Sequence, residues 1–277
     1  MSGTVPTLSI VFMGISCVIG FAIPVVLLLY FRIKKHADIL PFFIGCAVML
    51  VFAFILEAAV HRLVLSSPAG ERIRDTVWMY ALYGGIMAGL FEETGRFLAF
   101  KTVLRKKTDN DSNALMYGAG HGGFECSFLL GITMINNIIW SVLINSGNTA
   151  ALTGALSGDV LKQAEDSIGA LLSTQPYIFL LGSVERIIAV TLHIALSVLV
   201  WFAAKNRKRL WLYPAAILIH FAVDGVTAAL SGAGAPAALL EVIIAVMTAA
   251  AALFAKRIWD QERGGGTGHK SFTFNAP

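Results

Sequence analysis

The stretch Phe91-Glu92-Glu93-Thr94-Gly95-Arg96 places two carboxylates and a guanidinium inside an apolar segment long enough to cross a bilayer. Nothing else is charged between residues 77 and 100, and one charge at membrane depth costs about 2.5–3.5 kcal/mol on insertion scales. On a helix, Arg96 lies four residues after Glu92 and three after Glu93, so it can reach either carboxylate. Such a cluster, facing the interior of a helix bundle, predicts a functional site.

The composition around this stretch is that of a membrane protein. The chain has 277 residues, of which 57% are hydrophobic and only 14% charged. Since a backbone in lipid must satisfy its own hydrogen bonds, the apolar runs predict an all-α, polytopic membrane helix bundle. We expect seven transmembrane helices in a single membrane domain, residues 1–263. Their approximate ranges are Leu8–Phe31, Ile39–Leu65, Val77–Phe100, Ala114–Asn145, Tyr177–Ala203, Leu210–Leu230 and Pro236–Ala255.

The distribution of charge predicts the orientation. A net charge of +4 could suggest nucleic-acid binding, but most lysines and arginines lie in short loops that fall on one membrane face. Nucleic acid is therefore not an expected partner, and the bilayer is. The positive-inside rule puts the N-terminus outside and the C-terminus in the cytoplasm, and we expect the cell membrane of a prokaryote. These basic residues follow the first, third, fifth and seventh spans: Arg32, Lys34, Lys35, Lys101, Arg105, Lys106, Lys107, Lys205, Arg207, Lys208, Arg209, Lys256, Arg257, Arg263 and Lys270.

Two segments lie outside the predicted spans. Residues 146–176 carry apolar positions that fit one helical face, so we expect an external amphipathic helix that lies on the membrane or caps the bundle. These positions are Val160, Leu161, Ala164, Ile168 and Leu171. Residues 264–277 are polar and begin with glycines, and we expect a flexible cytoplasmic tail.

Histidines on three further spans are predicted to reach the layer of the Glu-Glu-Arg cluster. With about 1.5 Å of rise per residue, Glu92, Glu93, His121 and His220 all lie roughly 12–15 Å below the cytoplasmic end of their spans, and His193 slightly deeper. His121 pairs with Glu125 at i, i+4, and His220 pairs with Asp224 in the same way. Such pairs can simply join helices, but their convergence at one depth favours a site.

Other polar residues near the outer ends of spans have a more ordinary explanation. Glu57 and His61 form an i, i+4 pair in the second span, and Glu185 and Arg186 begin the fifth. Interfacial polar side chains can reach water, so we interpret these as mainly structural. Glu241, at the outer end of the seventh span, is interpreted in the same way.

These motifs, taken in order, resemble those of the CAAX-protease and bacteriocin-processing superfamily of intramembrane peptidases. The corresponding elements are Glu92-Glu93-x-x-Arg96, Tyr117-x-x-x-His121 and His220-x-x-x-Asp224. The first is one residue shorter than the pattern of that superfamily. Tyr replaces Phe in the second, and Asp224 stands where Asn is common. Over nearly all its spans, the chain more specifically resembles the YhfC-type family of intramembrane proteases.

The resemblance implies an intramembrane endopeptidase that acts on a membrane protein or lipidated peptide, near the cytoplasmic half of the bilayer. Glu92 or Glu93 would be the general base, and His121 would share the attacking water. His220 would donate to the oxyanion, and Arg96 would hold one carboxylate ionised. Tyr117, Glu125 and Glu185 would support the site. Asp224, an acceptor when ionised, would orient His220.

Two further questions stay open at the level of sequence. His121, His193 and His220 with a carboxylate could bind Zn²⁺, although no H-E-x-x-H motif is present, so the cofactor is either none or zinc. The alternative function is a proton- or cation-coupled transporter that uses the same polar layer. No repeated halves or paired helix breaks support transport, and a protease is the first interpretation.

Overall fold

The computed structural model describes residues 3–265, and the helices within this range account for every predicted span. The prediction of an all-α, polytopic membrane fold is confirmed, since no strand occurs among the described residues. Nine helices of eight or more residues organise this part of the chain: α1 Thr7–Lys34, α2 Leu40–Leu65, α3 Pro68–Asp75, α4 Val77–Lys101, α5 Ser112–Asn145, α6 Gly158–Ser173, α7 Pro176–Lys205, α8 Leu212–Gly232 and α9 Ala237–Gly265. A single helical turn, Ala150–Thr153, lies between α5 and α6.

The predicted boundaries agree with the helices to within three residues, except at the last end. There, α9 continues to Gly265, beyond the predicted end at Ala255. Six of the helices are long and apolar enough to cross a membrane: α1, α2, α5, α7, α8 and α9. The other long helix, α4, carries the Glu-Glu-Arg cluster, which makes it less apolar. A seventh crossing by α4 therefore stays a prediction, as does the orientation of the bundle.

Helix α7 lies at the centre of the bundle. In its most apolar 18-residue stretch, 72% of the residues are buried, against 17–28% in the other five candidate spans. It packs against α1, α4, α5, α8 and α9, and its side chains from Leu196 to Ala203 are a large part of the main core, together with Phe100 and Tyr117. A central helix can present side chains to several neighbours at once, and His193 lies on it.

Two close helix contacts bring the polar residues into one layer. A Cβ on Gly89 of α4 would lie 2.7 Å from the carbonyl oxygen of Ile217 in α8, so only glycine permits this approach. A Cβ on Gly118 of α5 would likewise lie 2.6 Å from Cα of Ile194 in α7. Small residues allow helix backbones in a membrane to approach closely. The glycines of α4 and α5 thus set the distances across which the acidic residues and histidines meet.

Two helices contain π-helical segments, at Met49–Glu57 in α2 and Ser127–Ile132 in α5. Such segments are rare and often occur at functional sites. The first ends at Glu57, and the second begins two residues after Glu125.

The predicted amphipathic segment contains helix α6, whose apolar face packs on the bundle. Ala164, Ile168 and Leu171 are buried, and the last two join a cluster with Val5 and Met13 of the N-terminal region. Val160, expected on the same face, is 57% exposed because it lies at the start of the helix, beyond this contact. That α6 lies outside the cell stays a prediction. The predicted flexible tail, residues 264–277, falls outside the described residues except for its first two glycines.

Candidate active site

The site is built around the two glutamates of α4, which have different partners. Nη1 of Arg96 lies 2.7 and 2.6 Å from the two carboxylate oxygens of Glu93, and neither side chain is exposed. Glu92 has no arginine partner among the described residues. Its Oε2 instead lies within hydrogen-bond distance of Nε2 of His121, at 3.0 Å. The tertiary structure thus selects Glu93 for Arg96, although the spacing in the sequence allowed either carboxylate.

His193 of α7 is held from both sides. Nη2 of Arg96 donates to its Nδ1 at 3.2 Å, so this nitrogen carries no proton in the contact. The proton is on Nε2, which donates to Oε2 of Glu125 at 2.7 Å. Glu125 in turn accepts a 2.8 Å hydrogen bond from Arg186, which also pairs with Glu185.

His220 of α8 lies between two acidic side chains. Its Nδ1 is 2.8 Å from Oε1 of Glu93, and its Nε2 is 3.3 Å from Oδ2 of Asp224. The same Nε2 is 3.9 Å from Oε1 of Glu92. Because both ring nitrogens face carboxylate oxygens, both can donate only when the ring carries two protons. The geometry favours an imidazolium at this position, stabilised by the carboxylates.

Three histidines from three helices therefore surround Glu92. The ring centroids of His121 and His193 are 5.0 Å apart, and those of His193 and His220 are 5.5 Å apart. All three histidine side chains are fully or almost fully buried. The depth argument placed all these groups in one layer, and the structure brings them into direct contact.

Charge in this layer is unevenly compensated. Glu93 and Glu125 each have a guanidinium, from Arg96 and Arg186, whereas Glu92 has only histidines around it. An ionised, buried carboxylate without a cation is costly, so Glu92 requires a proton or a bound cation nearby.

One metal-binding arrangement is present among the described residues. Ligand atoms of Glu92, His121 and His193 all lie within 4.8 Å of one another. The sequence instead suggested His121, His193 and His220, with Glu92 or Glu93 as base. His220 is not part of the group because its nitrogens face Glu93 and Asp224. One carboxylate and two imidazoles are ligands that zinc accepts.

Tyr117 stacks on the ring of His121, with centroids 5.8 Å apart and planes 25° apart. Its hydroxyl, Nε of Arg96 and Nδ1 of His121 are buried without a hydrogen-bond partner in the described part of the chain. Buried polar atoms are rarely left unpaired, and three in one place mark the region as one that a small polar group or ion could complete.

A cavity of about 370 Å³ has Glu92, His193 and His220 in its lining, together with Glu125, Glu185, Arg186 and Asp224. Glu93 and His121 do not line it.

Two features of this region were missed in the sequence. Arg186, interpreted there as structural, links Glu185 to Glu125, and Thr248 of α9 lines the cavity. The available signal for the first was an arginine nine residues inside a predicted span, Tyr177–Ala203.

The structural interpretation of Glu57 and His61 agrees with their position. They hydrogen-bond to each other at 3.1 Å, and His61 also contacts the hydroxyl of Tyr83 at 3.0 Å. Neither lines the cavity.

The lining of the cavity extends towards one end of the bundle. On α7 it runs from Glu185 to His193, and on α8 it runs from His220 to Ser231. Both ranges extend from the histidine layer towards the end of the bundle opposite the basic loops. The sequence did not predict this lining, because depth along a helix does not show which neighbouring helices leave a gap.

Comparison with known proteins places the chain in a family. The sequence profile described as "YhfC intramembrane metalloprotease" matches residues 19–248, a range that includes every residue of the site. A Bacillus subtilis (strain 168) protein described as "Uncharacterized membrane protein YhfC" is 38% identical over 245 residues, which is 87% of this chain and 93% of that protein. No solved structure gives a significant match. The chain is a multi-pass integral membrane protein and belongs to the YhfC intramembrane metalloprotease family.

Proposed function

We propose that this protein is an intramembrane endopeptidase that hydrolyses a peptide bond of a membrane-associated polypeptide, with Glu92 as its central residue. The observation that carries the proposal is the position of Glu92, which lines the cavity and is surrounded by His121, His193 and His220 from three other helices. Hydrolysis needs a group that accepts a proton from water and donors that stabilise the oxyanion, and this layer contains both.

The two glutamates have separate roles in the proposal. Glu93 is a positioning residue, because Arg96 and His220 occupy its oxygens. Glu92 is the residue that takes the proton of the attacking water, at Oε1. This oxygen faces the Nε2 side of His220, whereas Oε2 faces His121 and His193.

His220 is proposed as the donor to the oxyanion. Glu93 and Asp224 on its two sides favour the charged ring, which is the better donor. Asp224 has a carboxylate at the position where the superfamily that the motifs resemble commonly has asparagine. Its carboxylate keeps His220 protonated and oriented. Its own side chain is 41% exposed and lies in the cavity lining, so the pair is accessible to a substrate.

The family description implies a metal, and the donor set fits one. Glu92, His121 and His193 would hold a divalent ion such as Zn²⁺, which when bound supplies Lewis-acid polarisation of the scissile carbonyl. Glu125, on Nε2 of His193, would orient that ring, as carboxylates commonly do for metal-bound histidines. The unbalanced charge of Glu92 also favours a cation. A metal ion bound to Nδ1 of His193 would replace the hydrogen bond that Arg96 donates to this nitrogen.

The test is cleavage of membrane-inserted peptides by the purified protein, with products identified by mass spectrometry. Glu92→Gln keeps the size of the side chain but removes its basicity, and we expect cleavage to fall about 10²–10⁴-fold while the protein still inserts and folds. Glu57→Gln is the matched control, since Glu57 is a buried glutamate of the bundle outside the cavity lining. Wild-type cleavage rates in Glu92→Gln would disprove the proposal.

A further inference from the structure

The cavity lining defines a path from the histidine layer to one end of the bundle. Side chains of α5, α7, α8 and α9 form its walls, and Glu92 of α4 lies in the histidine layer. On α8 the lining residues are Val223, Asp224, Thr227, Ala228 and Ser231, which follow His220 towards the C-terminal end of the helix. On α9 they are Ile244 and Thr248, in the N-terminal half. These helix ends lie opposite the basic loops, which is the outer face by the positive-inside rule.

The walls of this path are acidic. Four carboxylates line it, those of Glu92, Glu125, Glu185 and Asp224, against two cations, the guanidinium of Arg186 and the imidazolium of His220. His220 is already engaged by Glu93 and Asp224. Arg186 is already engaged by Glu125 and Glu185. The side chains of Glu185 and Asp224 are 42% and 41% exposed, so they are the two carboxylates that a substrate can reach.

An unpartnered polar side chain in the same wall indicates a ligand. Thr248 is 3% exposed, and its hydroxyl has no hydrogen-bond partner within the described residues. A threonine hydroxyl in a helix commonly bonds to the preceding turn, as Thr227 does to the carbonyl of Val223 at 2.7 Å. Thr248 instead has its donor and acceptor capacity free beside the cavity, where a peptide group could use both.

We propose that this cavity is the substrate channel, entered from the end opposite the basic loops, and that Glu185 and Asp224 bind a cationic group of the substrate polypeptide while Thr248 binds its backbone. The proposal rests on the proposed peptidase function and adds a substrate preference to it. The cation is the side chain of lysine or arginine, or an N-terminal ammonium.

The physical basis of this preference is the pairing of charges away from bulk water. The four carboxylates outnumber Arg186 and His220, the two cations in the lining, so a further cation would form charge-assisted hydrogen bonds that a neutral or anionic side chain cannot form. Anionic groups such as lipid phosphates are disfavoured for the same reason. The apolar side chains around these carboxylates also focus their electric field. Such focusing raises the local concentration of cations by about 10–10³-fold.

The first test needs no substrate. Thr227→Cys is introduced into a background in which Cys17, Cys46 and Cys126 are alanine, and intact cells with the outer face exposed are treated with membrane-impermeant thiosulfonates of opposite charge. After correction for reaction with a free thiol, we expect the cationic reagent to react about tenfold faster than the anionic one. Glu185→Gln should reduce this ratio, and Ser146→Cys, exposed outside the cavity, should show a ratio near one. A ratio near one at Thr227→Cys, or no reaction from outside, would overturn the proposal.

The second test measures peptide binding to the Glu92→Gln variant in nanodiscs by fluorescence anisotropy. Membrane-spanning peptides that differ at one flanking residue, lysine or methionine, are compared with free and acetylated N-termini. We expect the cationic peptides to bind about tenfold more tightly, Glu185→Gln to abolish the difference, and Thr248→Val to weaken all peptides equally. The matched control is Glu165→Gln, which changes a glutamate of α6 outside the cavity lining and should leave the preference for cationic peptides unchanged. Weaker binding of both peptides after acetylation identifies the ammonium as the cation, and a preference for lysine that survives acetylation identifies the side chain.

The two proposals fail in different ways. If neither the flanking lysine nor the free N-terminus tightens binding, the inference is wrong, whether or not the wild type cleaves the peptides. If the lysine preference is present but the wild-type protein cleaves none of the peptides, the cationic subsite stands and the peptidase function fails. If Glu185→Gln does not fold, the charge ratio at Thr227→Cys with Glu185 intact still decides the inference.

Discussion

Arg96 and Glu93 form an ion pair in which neither side chain is exposed, and one guanidinium nitrogen contacts both carboxylate oxygens. The pair leaves Glu92, the adjacent residue, without a guanidinium. Adjacent residues on a helix point about 100° apart, so two neighbouring glutamates can have different partners. This difference separates a positioning carboxylate from a reactive one and leads to the predictions below.

Removal of Arg96 should destabilise the protein through Glu93. Arg96→Met leaves a buried carboxylate without its cation, and breaking a buried pair in this way typically costs about 3–5 kcal/mol. Glu93→Gln combined with Arg96→Met should recover much of that loss, since no uncompensated charge remains. Thermal unfolding in detergent measures both variants. A single Arg96→Met variant as stable as the wild type would contradict the role of this pair.

The metal site should depend on His193 and on Glu125 to different degrees. Elemental analysis of the purified protein should find a divalent transition metal, and His121→Ala or His193→Ala should lose it. Glu125→Gln should weaken metal affinity by about 10–100-fold, because it changes only the partner of Nε2 of His193. His61→Ala is the matched control, since His61 lies outside the three-residue group. Equal metal content in all four variants would exclude this site.

The orientation of the bundle can be tested with reporter fusions. Fusions after Arg105 and after Arg207 should report a cytoplasmic location, because basic loops stay on that side. A fusion within residues 157–166 should report an external location. An external signal after Arg105 would reverse the bundle, and the cavity would then open to the cytoplasm.

Asp38 should contribute a pH-dependent part of the stability. It lies between α1 and α2, where a hydrogen bond from the side chain of Asn113 is the main cause that lowers its pKa below the ordinary 3.8, with Lys107 adding to the effect. A lowered pKa means that the folded state favours the ionised form. Its contribution is therefore present above the ordinary pKa and is lost as the pH falls through the lower folded value.

The matching measurement compares thermal unfolding of the wild type and Asp38→Asn between pH 6 and pH 3. The wild type should be the more stable of the two at pH 6, by a small margin because Asp38 is 38% exposed. The difference should shrink towards pH 3. A difference that grows as the pH falls would show that the carboxylate does not have these partners.

The sequence by itself determined the helices and the depth of the polar groups. Lipid forces nearly every residue of a span to be apolar, so spans such as Ser112–Asn145 can be recognised within a few residues, and a charge such as that of Glu92 is conspicuous. Depth then follows from the rise per residue, which is why His121 and His220 could be assigned to the layer of Glu92 and Glu93.

Only the tertiary structure decided which of these groups touch. His121 and Glu92 are 29 positions apart, and His220 and Glu93 are 127 apart, so their contacts depend on how each helix is rotated about its axis. The apolar faces of spans in lipid carry little periodic signal to fix that rotation. The close approaches at Gly89 and Gly118 fix it instead, and with it the choice of Glu93 as the partner of Arg96. The cavity between α5, α7, α8 and α9 has the same origin, because a cavity exists only where packed helices fail to meet.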